Sequence, residues 1–151
     1  KTGAQGFSLL LSSFGAGAIL GAVATAQRGH VPGRGRTMLV ALLVYGLAVT
    51  AAMVSRTQWL SMLLLFLAGG SLVTAFSTLN SLVQENTPAA LKGRVLSIYG
   101  VAFRAGTPFG SLAAGAMVRS LGAPLVIGGF SVALAAVALG NLGWNPRVRD
   151  M

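Results

Sequence analysis

Charged residues are scarce in this chain of 151 residues: they make up 9% of it, and only 2 are acidic. Soluble domains carry about 25% charged residues, so this chain has too few to cover a surface that faces water. Apolar residues instead make up 54% of the chain, and the mean hydropathy is +0.77. These values exclude a soluble fold.

Cysteine is absent, which excludes disulfides, thiolate metal sites and cysteine nucleophiles. The single histidine, His30, lies in a predicted loop, and neither acid falls within a predicted membrane span. A serine–histidine hydrolase or a di-haem site therefore lacks its essential residues. We expect no enzymatic activity, no catalytic residue, no metal and no cofactor.

The positive charges are separated by long uncharged stretches. A net charge of +9 by itself would favour a nucleic-acid partner. However, successive charged residues are separated by uncharged runs of 26, 19, 28 and 27 residues, and a further run of 24 is interrupted only by Arg104. About 20 mostly apolar residues cross a hydrocarbon core of about 30 Å, so we expect no nucleic-acid partner. The sequence predicts an all-α integral membrane protein with five transmembrane helices, at 5–27, 37–55, 59–83, 95–118 and 124–143.

The Lys and Arg residues also predict the orientation. Seven of the eleven lie in the loops 28–36 and 84–94 and in the tail 144–151, and cytoplasmic loops carry the excess of positive charge. We therefore expect a multi-pass protein of the cytoplasmic membrane with its N-terminus outside and its C-terminus inside.

Glu85 ends a helix, where a negative charge is unfavourable, and Lys92 or Arg94 is its expected partner. Because the chain begins at Lys1 with neither an initiator methionine nor a clear cleavage site, we expect it to be part of a longer protein.

The third predicted span has one polar half and one apolar half. Such a helix turns its polar side either to a water-filled cavity or to partner helices that its hydroxyls help to join; both interpretations stay open here. The first and fourth spans are also more polar than the second and fifth, so we expect the latter two to face lipid. The polar half comprises Ser71, Thr74, Ser77, Thr78, Asn80, Ser81 and Gln84.

Small residues recur four positions apart in two of the spans. Gly17 with Gly21, and Gly106 with Gly110, form GxxxG pairs. Such pairs allow helix backbones to approach closely, so we expect close helix contacts at both places.

Arg104 is the strongest single functional signal. It lies ten residues after Arg94, hence about 15 Å along the helix and near the middle of the hydrocarbon core. A charge at that depth costs about 2.5–3.5 kcal/mol, so it needs an anionic ligand, cavity water, an acid elsewhere or an oxygen such as that of Asn80. Pro108 removes the helical donor to the carbonyl of Arg104 and predicts a kink. Irregular polar points in mid-membrane are typical of transport sites.

Two stretches resemble exporters of the major facilitator superfamily, in the branch of enterobactin exporters and macrolide efflux proteins. NSLVQENTPAALKGRVLSIYG, followed by FRAGTPFGSLAAGA, is similar to the tenth and eleventh helices of that family, and GFSLLLSSFGAGAILGAV is similar to the eighth. The resemblance implies helices eight to twelve of a twelve-helix bundle, that is, a partial C-terminal half. The eight-to-nine loop RGHVPGRGR keeps the Arg and Gly character of the family's loop motif but lacks its acid.

The resemblance also implies a function. Family members export amphipathic drugs, macrolides or siderophores by alternating access, commonly coupled to protons. The implied partners are the lipid bilayer, the N-terminal half and seventh helix of the same transporter, and a small-molecule substrate. A non-catalytic polytopic membrane anchor or assembly subunit is the alternative. The expected pathway residues are Arg104, Asn80, Ser77, Thr74, Thr78, Ser81 and Gln84, and the expected cytoplasmic loop or gating residues are Arg28, Arg34, Arg36, Glu85, Lys92 and Arg94.

Overall fold

The computed structural model describes residues 3–27 and 33–144. Within them the chain is all-helical, which confirms the predicted fold class. A single turn of 3-10 helix at Ala89–Leu91 precedes the fourth long helix. The five long helices are α1 (Ala4–Gln27), α2 (Arg34–Val54), α3 (Gln58–Glu85), α4 (Lys92–Leu121) and α5 (Ala123–Trp144).

Two helices begin a few residues before the predicted spans. Arg34 and Arg36 lie in the first turn of α2, and Lys92 and Arg94 lie in the first turn of α4, whereas Glu85 is the last residue of α3. Continuing the helix keeps the backbone hydrogen-bonded near the membrane. The long side chains can still reach the polar layer from a helical backbone.

Four of the five helices are long and apolar enough to cross a membrane, and α4 is the exception. With 30 residues it is the longest helix and extends for about 45 Å. Its hydropathy is lowered by Arg104 and by the polar and small residues around Pro108. Helix α4 therefore has the length of a spanning helix, whereas its composition sets it apart from the other four.

Helix α3 occupies the centre of the arrangement. It packs against α1 and α2, and α2 in turn packs against α5. The backbones of α1 and α2 do not come into contact anywhere in the described residues. A small core of Ala48, Val49 and Ala68, with Phe14 and Tyr45 against it, lies where α3 meets its neighbours.

The order of burial differs from the expected one. Helix α2, expected to face lipid, contributes more buried residues than any other helix, whereas α4, expected inside, has none. Polarity does not predict burial within these five helices, because α2 has two close neighbours and α4 touches α3 and α5 only lightly.

Glycines bring α1 and α3 into backbone contact. A Cβ on Gly17 would collide with the carbonyl oxygen of Phe66, one on Gly69 with that of Phe14, and one on Gly21 with Gly70. The contact expected at the first GxxxG pair is therefore confirmed. At the second pair, in α4, a Cβ would meet nothing within 4 Å, so the expected contact is not formed among the described residues.

This contact makes α1 sensitive to a single methyl group. We expect Gly17→Ala to force the two backbones apart and to lower the free energy of unfolding by about 1–3 kcal/mol. Gly15→Ala is the matched control, because a Cβ there meets nothing within 4 Å and alanine is the better helix former. Titration of the purified protein into sodium dodecyl sulfate, followed by circular dichroism, measures both. Equal effects of the two variants would contradict the proposed backbone contact.

Candidate functional site

Two threonines of the polar half of α3 are engaged in helix packing. Thr78 is 5% exposed, and its hydroxyl donates to the carbonyl of Thr74 at 2.7 Å. The Thr74 hydroxyl donates to the carbonyl of Gly70 at 2.8 Å and lies 3.4 Å from that of Thr25 in α1. These hydroxyls therefore satisfy their own helix and help to join α1 to α3, as the second interpretation of the polar half expects.

The amides of the same polar half are exposed. Asn80 and Gln84 both lie on the surface of the described bundle, where the Gln84 amide donates to Asn80 Oδ1 at 3.2 Å. Ser77 and Ser81 are half-buried. The predicted pathway residues of α3 thus divide into a pair of threonines used for packing and a pair of amides open to a ligand or to water.

An aromatic contact places these amides beside α4. Phe76, Asn80 and Gln84 are four residues apart, so they share one face of α3. The ring of Phe76 meets that of Phe103 in α4 edge-on, with centroids 4.9 Å apart and an interplanar angle of 81°. The ring of Tyr99 stacks on that of Phe103, with centroids 6.3 Å apart and an interplanar angle of 21°. We call Phe76, Tyr99 and Phe103 the aromatic cluster.

Arg104 follows the aromatic cluster directly in the sequence. Its side chain is exposed, and no described residue forms a hydrogen bond or an ion pair with it. Asn80, one of its expected partners, accepts a bond from Gln84 instead. The structure therefore places Arg104 directly after an aromatic contact between α3 and α4, and the two amides lie on the α3 face that carries this contact.

Pro108 lies one turn after Arg104 in a helix that continues through it. Hydroxyls on both sides bind nearby carbonyls: Thr107 donates to Phe103 at 3.4 Å, and Ser111 donates to Pro108 at 2.9 Å. Neighbouring hydroxyls commonly satisfy backbone groups near proline in membrane helices. The kink at Pro108 stays a prediction.

An ion pair joins α2 to α3 at the end of the molecule that carries most of the positive charge. Arg34 donates to Glu85, with side chains 15% and 38% exposed. This corrects the expectation that Glu85 pairs with Lys92 or Arg94. A cation at a helix N-terminus and an anion at a C-terminus are each unfavourable with the helix dipole, and pairing the two charges offsets both penalties. Arg28, another expected gating residue, lies outside the described residues.

Comparison with known families assigns the chain. A family model described as transmembrane secretion effector, within the major facilitator superfamily, matches residues 1–151. The chain belongs to this family. No curated protein and no solved structure matches it. The transmembrane secretion effectors are membrane transporters, so the expectation of transport in place of enzymatic chemistry agrees with the assignment.

Sequence reasoning missed the aromatic cluster of this secretion effector. On the helical wheel of the third span Phe76 falls in the apolar half, and nothing in the composition of the fourth span marks Tyr99 or Phe103. A signal is present: Tyr99 and Phe103 are four residues apart, and Phe103 immediately precedes Arg104. Aromatic residues at that spacing share a helix face, although their contact with Phe76 depends on how α3 and α4 pack.

The ion pair can be tested by exchanging its charges. We expect Glu85→Gln and Arg34→Gln each to lower the free energy of unfolding. A double-mutant cycle should give a coupling energy of about 1 kcal/mol, which is the upper end of the range for exposed ion pairs. The exchanged variant, Arg34→Glu with Glu85→Arg, keeps the pair and places each charge favourably toward its helix dipole. It should be at least as stable as the wild type in the same unfolding titration. Lys92→Gln is the control and should change little; a destabilised exchange variant would contradict the pairing.

Proposed function

We propose that this chain is part of a secondary active exporter that moves small amphipathic molecules of drug, macrolide or siderophore type. Transport crosses the cytoplasmic membrane by alternating access and is coupled to protons. The observation that carries the proposal is that Arg104, which we expect in mid-membrane, is exposed, directly follows Phe103 of the aromatic cluster and has no partner among the described residues.

The chemistry of this site suits an amphipathic substrate. Binding sites for small molecules combine an apolar and aromatic lining with a few polar groups that set orientation. Here Phe76 and Phe103 are 38% and 49% exposed, the Asn80 and Gln84 amides lie on the same face as Phe76, and Arg104 supplies one full charge. We infer that the aromatic rings take up the apolar part of the substrate while Arg104 attracts an anionic or electron-rich group.

The surroundings of α4 support alternating access. No residue of α4 is buried against the other four described helices. A charge in the membrane normally faces a bundle interior or a water-filled cavity, and the described helices provide neither for Arg104. We infer that α4 faces the other half of the transporter, which comprises the N-terminal half and the seventh helix. Movement of one half against the other would then expose the site to each side in turn.

Proton coupling requires a group that titrates within the membrane. The acids of this chain are Glu85, at the end of α3, and Asp150, in the tail. We therefore propose that the proton-carrying carboxylate lies on another helix of the transporter. The cations Arg34, Arg36, Lys92 and Arg94 lie with Glu85 at the proposed cytoplasmic face, where the Arg34–Glu85 pair holds the ends of α2 and α3 together during gating.

The role of Arg104 is tested in the intact transporter. We expect Arg104→Ala to lower the export rate at least tenfold, because the only mid-membrane charge of this chain is lost, while Arg104→Lys keeps part of the rate. Arg119→Ala, at the far end of the same helix, is the matched control and should export like the wild type. Export of erythromycin, ethidium and a catecholate siderophore is measured in cells that lack their own exporters, with expression checked by immunoblot.

Two results would contradict the proposal. Wild-type export rates in Arg104→Ala would remove the proposed role of this residue. Failure of the wild type to export any of the three probes would favour the alternative of a membrane anchor.

A further inference from the structure

A groove lies between α1 and α2, and α3 forms its floor. Because α1 and α2 pack on α3 and not on each other, the space between them stays open. It has a volume of about 530 Å³, within the range of pockets that hold small organic ligands. We call it the inner groove; its walls include Leu20, Ala24, Val40, Phe66 and Leu67, with Arg36 at one end.

The inner groove has the shape and polarity of a site for a hydrocarbon chain. From Gly17 to Ala24 its α1 wall extends for about 10 Å along the helix. Its lining combines aliphatic and aromatic side chains with glycines and with the hydroxyl residues Thr37, Ser71 and Thr74. The Thr74 hydroxyl donates to the carbonyl of Gly70 at 2.8 Å, and the Thr37 hydroxyl donates to that of Gly33 at 3.4 Å. Water would find few partners here, whereas a lipid tail would contact apolar atoms on three sides.

A single cation marks the end of the inner groove. Arg36 is exposed, lies in the first turn of α2, and no described residue forms an ion pair or a hydrogen bond with it. Glu85, the one acid among the described residues, bonds to the neighbouring Arg34. An apolar groove with an uncompensated cation at its mouth complements a molecule with a hydrocarbon tail and an anionic head.

We propose that the inner groove binds an anionic phospholipid, with one acyl chain between α1 and α2 and the phosphate on Arg36. This inference goes beyond the transport function and does not depend on it. The groove reaches from the middle of α3 to the end of the bundle where Arg34, Arg36, Lys92 and Arg94 begin their helices, which is the proposed cytoplasmic face. An anionic lipid of that leaflet can therefore enter from the side without crossing the bilayer.

Lipid selectivity tests the proposal. The purified protein is reconstituted into phosphatidylcholine vesicles that contain a trace of spin-labelled phosphatidylglycerol or spin-labelled phosphatidylcholine, and the immobilised fraction of each label is measured. The wild type should prefer phosphatidylglycerol, and Arg36→Gln should reduce this preference about fivefold, the effect of one Arg beside an anionic headgroup. Arg94→Gln, the control, removes a charge at the same membrane face without touching the groove and should keep the preference.

A second pair of variants tests the groove without changing any charge. Ala24→Phe fills the inner groove, whereas Ala22→Phe adds the same ring to an exposed position of α1 that does not line it. Ala24→Phe should abolish the immobilised fraction of spin-labelled phosphatidylglycerol, and Ala22→Phe should leave it unchanged. The circular dichroism spectra of both variants should match that of the wild type.

Three results would overturn the proposal. The first is equal preference for the two lipids in the wild type. The second is equal loss in Arg36→Gln and Arg94→Gln, which would assign the preference to diffuse surface charge. The third is the formation of a dimer when position 24 is cross-linked, which would show that a second copy of the chain occupies the groove.

Discussion

The close backbone contact between α1 and α3 is the constraint on which the rest of the arrangement depends. Lipid tails are as apolar as leucine, so helices in a bilayer gain little from burying apolar surface against one another and associate through close packing and polar contacts. Gly17, Gly21 and Gly69 permit that closeness, because any side chain there would meet a carbonyl or backbone atom of the other helix. The same approach brings Thr25 to Thr74. With α1 on one flank of α3 and α2 on another, the space between α1 and α2 is left as a groove.

Three arginines of the described chain are accommodated in three different ways. Arg34 and Glu85 lie at helix ends that do not suit them, and their pairing turns two unfavourable dipole interactions into a link between α2 and α3. Arg36, only two residues from Arg34, has no described partner and faces the inner groove. Arg104 directly follows Phe103 of the aromatic cluster and has no partner among the described residues; at the mid-membrane depth that we expect for it, a bare charge is costly. The pair links two helices, and the other two arginines are the places where we propose that a ligand supplies the missing charge.

The sequence alone does not distinguish the polar residues of α3 that pack against other helices from those that are open to a ligand. A helical wheel groups Thr74 and Thr78 with Asn80 and Gln84, because all four are polar and fall on the same half of α3. The structure separates them, since the threonines sit against α1 and the bundle core whereas the amides share a face with Phe76 and lie toward α4. In the same way, Arg34 was not foreseen as the partner of Glu85. It is distant in sequence, and only the packing of α2 on α3 brings the two helix ends together.

The sequence by itself determined the number of long helices, their approximate ends and the position of Arg104 along one of them. These properties follow from local physics, because each membrane helix satisfies its own backbone and needs a fixed length of mostly uncharged residues. Only the tertiary structure decided that α2 is the most buried helix and α4 the least, that one GxxxG pair forms a contact and the other does not, and that Phe76 meets Phe103. Those outcomes depend on which helices become neighbours. In a bilayer, the neighbours are determined by how small residues and hydroxyls fit between two helices. The residue pattern along a single helix does not contain that information.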